Sequence, residues 1–104
     1  MVTLAEIQDE VERQLIRDFS DSTISTMRNM LFLGLAEEAG EVAGLVKRVL
    51  RDFPQDRVRA TKEHFTEELG DVLWYLTACC IISEVPLEEV WEYNIKKLRE
   101  RYGE

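Results

Sequence analysis

The stretch LGLAEEAGEVAGL, residues 33–45, sets Glu37, Glu38 and Glu41 into a run whose apolar residues recur at helical spacing. Leu31 and Leu45 stand seven residues either side of Glu38, two helical turns away. The stripe is therefore apolar above and below the acids and should face a neighbouring helix. A second stretch, TEELGDVLWYL at 66–76, repeats the pattern with Glu67, Glu68 and Asp71. Residues three or four apart share a helix face, which pairs Glu38 with Glu41, brings Glu37 toward Glu41, and pairs Glu68 with Asp71. Each helix offers a carboxylate pair on a face that packing would bury.

Outward from these two stretches the periodicity stays helical. Glycine and proline are scarce, and no stretch alternates polar with apolar residues for long enough to make a strand, so the expected fold is all-α. A first helix is predicted over about 4–18, with Leu4, Ile7, Val11 and Leu15 on one face and Thr3 with Glu6 as a capping box. The polar break SDSTIS at 20–25 precedes a long helix from the middle twenties to about 51. DFPQD at 52–56 should stop it, because Pro54 cannot continue a helix and restrains Phe53 before it. A third helix is predicted over about 57–83, and a fourth opens at Pro86 with Leu87, Val90, Trp91, Ile95 and Leu98 on one face.

The chain's 104 residues fit one domain spanning 1–104, and 45% hydrophobic with 33% charged residues is a globular composition. Thirteen basic against twenty-one acidic side chains, a formal charge of −8, would repel a phosphate backbone, so no nucleic acid polymer is expected as a partner. Cys79 and Cys80 are adjacent in an apolar run, pointing about 100° apart on a helix, and are expected to be reduced core thiols. The longest nearly apolar stretch, VLWYLTACCII at 72–82, is short of the ~20 residues of a membrane span, so no membrane partner is expected. The opening MVTLAEIQDEVERQ is acidic and amphipathic rather than a charged leader with an apolar run, which makes the cytoplasm the expected compartment.

Acids from two helices cannot meet bare. A like-charge contact near 4 Å costs roughly 4 kcal/mol at an effective dielectric of 20, a large share of a small domain's stability. The bland alternative is that both runs are solvated helix faces, the usual fate of glutamate; two such runs, each flanked by apolar residues, favour convergence around a cation. Oxygen ligands without cysteine or convergent histidine suit a hard ion, magnesium first and manganese as its substitute. Gly40 and Gly70 each precede the last acid of their pair, at ~1 kcal/mol relative to alanine in a helix. Room for a ligand, close backbone approach or tight helix packing would each explain them.

Glu37-Glu38-Ala39-Gly40-Glu41, then Glu68-Leu69-Gly70-Asp71, then NIKKLRERY at 94–102 together resemble the MazG family of all-α nucleoside triphosphate pyrophosphohydrolases. That family's pattern is EExxE, a spacer, ExxD, and an Asn-x-x-Lys-Leu-x-x-Arg-Tyr ending. The resemblance covers roughly residues 30–102. It implies a four-helix MazG-like arrangement, hydrolysis of a nucleoside triphosphate to monophosphate and pyrophosphate, and magnesium held by Glu38, Glu41, Glu68 and Asp71. Glu37 is left to orient or deprotonate the attacking water, or to help hold a second ion. House-cleaning of modified nucleotides is a role the family suggests. Phosphoryl transfer suits such a site, since it asks mainly for positioning and for neutralisation of charge on oxygen.

Asn94, Lys97 and Arg101 recur every three or four residues on the last helix and would present an amide and two cations to the triphosphate, if they are not simply an exposed face. Lys47 and Arg48, a turn or two beyond Glu41, are further phosphate candidates on the same terms. Trp74 and Tyr75, within a turn of Asp71, can stack on a base or serve as packing, with Trp91 and Tyr102 as more distant candidates. His64, the one histidine, is expected at the surface or in a supporting position.

Only Thr77 interrupts the apolar side chains from Val72 to Ile82, so the third helix needs cover on every face. A homo-oligomer with that helix at a subunit contact is expected, in keeping with the homodimers and homotetramers the resemblance suggests. The rival readings are a phosphoribosyl-ATP pyrophosphohydrolase of the same superfamily and a non-catalytic nucleotide-binding or regulatory helical module. A di-iron carboxylate bundle would need two Glu-x-x-His motifs, which one histidine cannot supply.

Overall fold

The computed structural model describes residues 1–52 and 62–104. Over these it is all-helical: α1 (Leu4–Phe19), α2 (Ile24–Asp52), α3 (Lys62–Ile82) and α4 (Leu87–Arg101). The expected turn after Asp52 and the expected first residues of the third helix, 57–61, lie outside the described residues.

The helix ends follow local chemistry. Thr3 Oγ1 accepts from the Glu6 N–H at 3.1 Å while Glu6 Oε1 accepts from the Thr3 N–H at 3.2 Å, completing the capping box the sequence announces. Thr23 Oγ1 accepts from the Thr26 N–H at 3.1 Å and opens α2. At the end of α3 the Val85 N–H reaches the Cys80 carbonyl and the Glu84 N–H the Ile81 carbonyl, both at 3.0 Å. That is a Schellman motif, with Glu84 at φ 59 in the left-handed position where glycine is usual. Pro86 has no side chain with which to cap α4; α1 supplies the missing acceptor, Gln8 Oε1, at 2.8 Å from the Leu87 N–H.

α3 is the hub. It packs on α1, α2 and α4, most extensively on α2, and α4 leaves it at 99°. Val11 and Leu15 of α1, Leu31 of α2, and Ala78 and Cys79 of α3 form the core, with Phe19, Met27, Trp74 and Tyr75 among the residues around it. Both cysteines are free and buried, as expected. Thr77, the polar interruption in the apolar run, is fully buried, and its hydroxyl donates to the Leu73 carbonyl one turn back at 2.7 Å.

The cover that α3 receives is incomplete. Leu69, Leu73 and Leu76, spaced along one stripe, remain 53%, 42% and 38% exposed. The radius of gyration is 16.6 Å, against about 13 Å for a compact chain of this length. α2 alone runs 29 residues, about 44 Å. Among the described residues no single helix is long and apolar enough to cross a membrane.

Candidate functional site

The site is built where α2 and α3 pack. Leu31 and Leu45, the apolar residues two turns either side of Glu38, are both buried and hold that face of α2 inward. Contacts along the pair step in opposite directions: Gly34 meets Tyr75, Glu38 meets Asp71, and Glu41 meets Glu68. The helices are therefore antiparallel at this level, and their register sets the two carboxylate pairs against each other.

One carboxylate oxygen each from Glu38, Glu68 and Asp71 lies within 4.8 Å of the others, and the same holds for Glu37, Glu38 and Glu41. Glu38 belongs to both groups. Glu38 and Glu68 are half-buried, whereas Glu37, Glu41 and Asp71 are exposed. The Oε2 atoms of Glu38 and Glu68 are fully shielded from solvent and have no hydrogen-bond partner, a condition costly for a charged oxygen.

The electrostatics follow from this crowding. Burial, then the charges of Glu41, Asp71, Glu68 and Glu37, push the Glu38 carboxyl above its usual range. A carboxyl–carboxyl hydrogen bond with Glu41, then burial, then the charges of Glu41, Asp71 and Glu67, do the same to Glu68. Two of the acids thus favour holding a proton unless another positive charge takes its place.

Beside the acids lies a cavity of about 380 Å³ lined by Gln14, Asp18, Glu38, Asp71, Trp74 and Tyr75. Trp74 and Tyr75 meet edge to face, ring centroids 5.0 Å apart at 78°, and both also pack against the core. A larger cavity of about 770 Å³ at the far end of α3, between Phe19, Met27 and Ile81, contains none of these acids.

The expected phosphate-binding residues are placed differently. Asn94 and Lys97 line a separate cavity with Tyr93, Val90, Glu89 and Val85, and Arg101 is exposed. Lys47 is exposed, while the guanidinium of Arg48 lies back along α2, its Nη1 3.3 Å from where a Cβ at Gly44 would stand. Positions 41, 44 and 48 share a helix face, so Arg48 rather than Lys47 follows the face of Glu41. Trp91 and Tyr102 are exposed and His64 is half-buried on α3.

Two of the glycines are now explained in part. A Cβ at Gly40 or Gly70 would meet nothing within 4 Å, so tight packing within the chain is not their reason. The close approach is at Gly34, where a Cβ would overlap the Tyr75 ring. The sequence carries a signal for it, a helix-interior glycine among apolar residues one turn before Glu38. Gln14 and Asp18, on α1, gave no comparable signal.

Residues 26–104 match the MazG nucleotide pyrophosphohydrolase domain, which takes in α2 from its third residue, α3 and α4 and leaves α1 outside the match. Gene 37 protein of Mycobacterium phage L5 is 38% identical over 69 residues, 66% of this chain and 60% of that protein. The aligned part therefore spans less than two thirds of that relative. No solved structure matches the chain. With the acid pairs of α2 and α3 converging inside the matched segment, the chain belongs to the MazG nucleotide pyrophosphohydrolase domain family.

Proposed function

We propose that this chain, acting as one domain, hydrolyses a nucleoside triphosphate to the monophosphate and pyrophosphate, with magnesium, or manganese in its place, held by Glu38, Glu41, Glu68 and Asp71. The observation that carries the reading is the meeting of Glu38 with Glu68 and Asp71 across two helices. The donor set fits the ion: all oxygen, two of the oxygens shielded and without a donor, and acids whose mutual repulsion a divalent cation would relieve.

When bound, the ion supplies neutralisation of phosphate charge and polarisation of a phosphoryl oxygen. The protein's own residues do the rest. Glu37, exposed at the edge of the cluster and adjoining Glu38 and Glu41, takes the role of orienting the attacking water or accepting its proton in this reading. Trp74 and Tyr75 wall the adjoining cavity and receive the nucleoside. Cations for the outer phosphates come from Arg48 along the Glu41 face, with Lys47 as a lesser contributor, and from Lys97 and Arg101, with the Asn94 amide as a neutral donor beside them.

Because Asn94 and Lys97 line a different cavity from the acids, they reach the triphosphate from a second copy of the chain. A homodimer or homotetramer would also cover Leu69, Leu73 and Leu76 and account for the drawn-out protomer. Sedimentation at micromolar concentration is expected to give a dimer or tetramer; a stable monomer removes this part. Clearance of modified nucleotides in the cytoplasm is the role that suits such an activity.

The test is pyrophosphate release from common, deoxy and modified nucleoside triphosphates and from phosphoribosyl-ATP, with and without magnesium. Magnesium-dependent release from a nucleoside triphosphate is expected. Nucleotide binding without release would favour a non-catalytic module.

A further inference from the structure

One side-chain bond ties the cavity wall to α1 across 60 residues of sequence: the Trp74 indole Nε1–H donates to Gln14 Oε1 at 2.8 Å. The other half of the same amide is also engaged, since Gln14 Nε2 donates to Glu10 Oε1 at 3.0 Å. Glu10 in turn accepts from Arg13 Nη2 at 2.6 Å and Nε at 3.2 Å. Hydrogen bonds from Arg13 and Gln14 hold the Glu10 carboxyl down to about 2, so it remains an acceptor throughout the physiological range. With a donor on one side and a carboxylate on the other, the Gln14 amide has one satisfying orientation, carbonyl toward the indole.

The Gln14–Trp74 bridge separates two spaces. On one side is a groove with Val2, Ile7, Val11 and Leu73 in its walls; on the other is the cavity that reaches Glu38 and Asp71. Among the described residues, the lining of that second cavity has carboxylates, two aromatic rings and an amide, and no lysine or arginine. A triphosphate would find no cation among these lining residues, whereas an uncharged ring system suits the cavity's volume, which lies in the range of about 300–1,000 Å³ usual for small-ligand sites. The acids mark the phosphate end and Trp74 the nucleoside end.

We infer that Gln14 is a positioning residue: it holds the Trp74 indole as the wall against which the nucleoside lies, so that α1, outside the family match, governs nucleoside binding. The inference rests on the proposed function above. Without Gln14 the indole N–H loses its acceptor, and the ring is free to turn toward the carboxylates of the cavity.

The test compares wild type with Gln14→Leu in steady-state kinetics on the eight common ribo- and deoxyribonucleoside triphosphates with magnesium, together with inhibition by inorganic tripolyphosphate, which has no nucleoside. Gln14→Leu is expected to raise KM roughly fivefold to tenfold with kcat within about twofold, and to leave tripolyphosphate inhibition unchanged. Trp74→Phe keeps a ring and deletes the donor, so adding Gln14→Leu to it is expected to raise KM no further. Equal KM values for wild type and Gln14→Leu overturn the inference. So does an equal weakening of KM and tripolyphosphate inhibition, which would mark a general loosening of the fold. If release is confined to modified nucleoside triphosphates, the same comparison is made on those; a wild-type protein that releases no pyrophosphate from the eight or from modified triphosphates overturns the proposed function and this inference with it.

Discussion

The ring of Tyr75 lies over Gly34, in the space a side chain at position 34 would fill. Gly34 is one turn before Glu38 and Tyr75 one turn after Asp71, so this contact sets the α2–α3 separation next to the acids. Alanine elsewhere in a helix gains ~1 kcal/mol over glycine; here its methyl group must displace a packed aromatic ring, and overpacking costs about 1–3 kcal/mol. Gly34→Ala is therefore expected to lower the thermal midpoint and to weaken magnesium-dependent turnover, by parting the two acid pairs. A midpoint equal to or above wild type contradicts it.

Gly40 provides the contrast, since its missing side chain faces open space. Gly40→Ala is expected to stabilise the metal-free protein by about 0.5–1 kcal/mol, read from urea unfolding. Loss of stability there would mean that another chain occupies the space.

Stability should fall as the pH is raised in the absence of metal. The carboxyls of Glu38 and Glu68 are raised above their ordinary 4.5, so the folded protein keeps protons that the unfolded chain releases. The stabilisation this gives is complete below 4.5 and is lost as the pH climbs through the raised values. Thermal midpoints between about pH 5 and pH 7 are expected to decline without magnesium, and added magnesium should restore more at the upper end. A magnesium effect of equal size at both ends contradicts this.

Two helix ends make separate predictions away from the acids. Glu84 stands at φ 59 in the Schellman motif of α3, so Glu84→Gly is expected to gain roughly 0.5–1 kcal/mol. Gln8→Leu removes the acceptor of the Leu87 N–H and is expected to cost about 1 kcal/mol. Denaturant titration reads both, and reversal of either sign contradicts the assignment of that cap.

The helices and the acid pairs were legible because both depend on local spacing: Thr3 with Glu6 for the first cap, Glu38 with Glu41 and Glu68 with Asp71 for a shared face. Convergence could be argued as well, from the buried flanks Leu31 and Leu45. What local spacing cannot carry is which helix lies beside which. Asn94 and Lys97 read as partners of the triphosphate, yet α4 turns away at 99° and gives them a cavity of their own. The bond from Trp74 to Gln14 was invisible for the same reason, since nothing within α1 points to a residue 60 positions on.

The most direct measurement is magnesium-dependent pyrophosphate release by wild type and Glu38→Gln, run beside thermal midpoints with and without the ion. Glu38 joins both acid groups, so Glu38→Gln is expected to lose turnover by roughly 100-fold or more, beyond what changes outside the ligand set cost. Freed of one repulsive charge, it is also expected to melt higher than wild type without magnesium and to gain little when magnesium is added. Equal magnesium-dependent turnover in the two proteins, with equal stabilisation by the ion, would contradict the account.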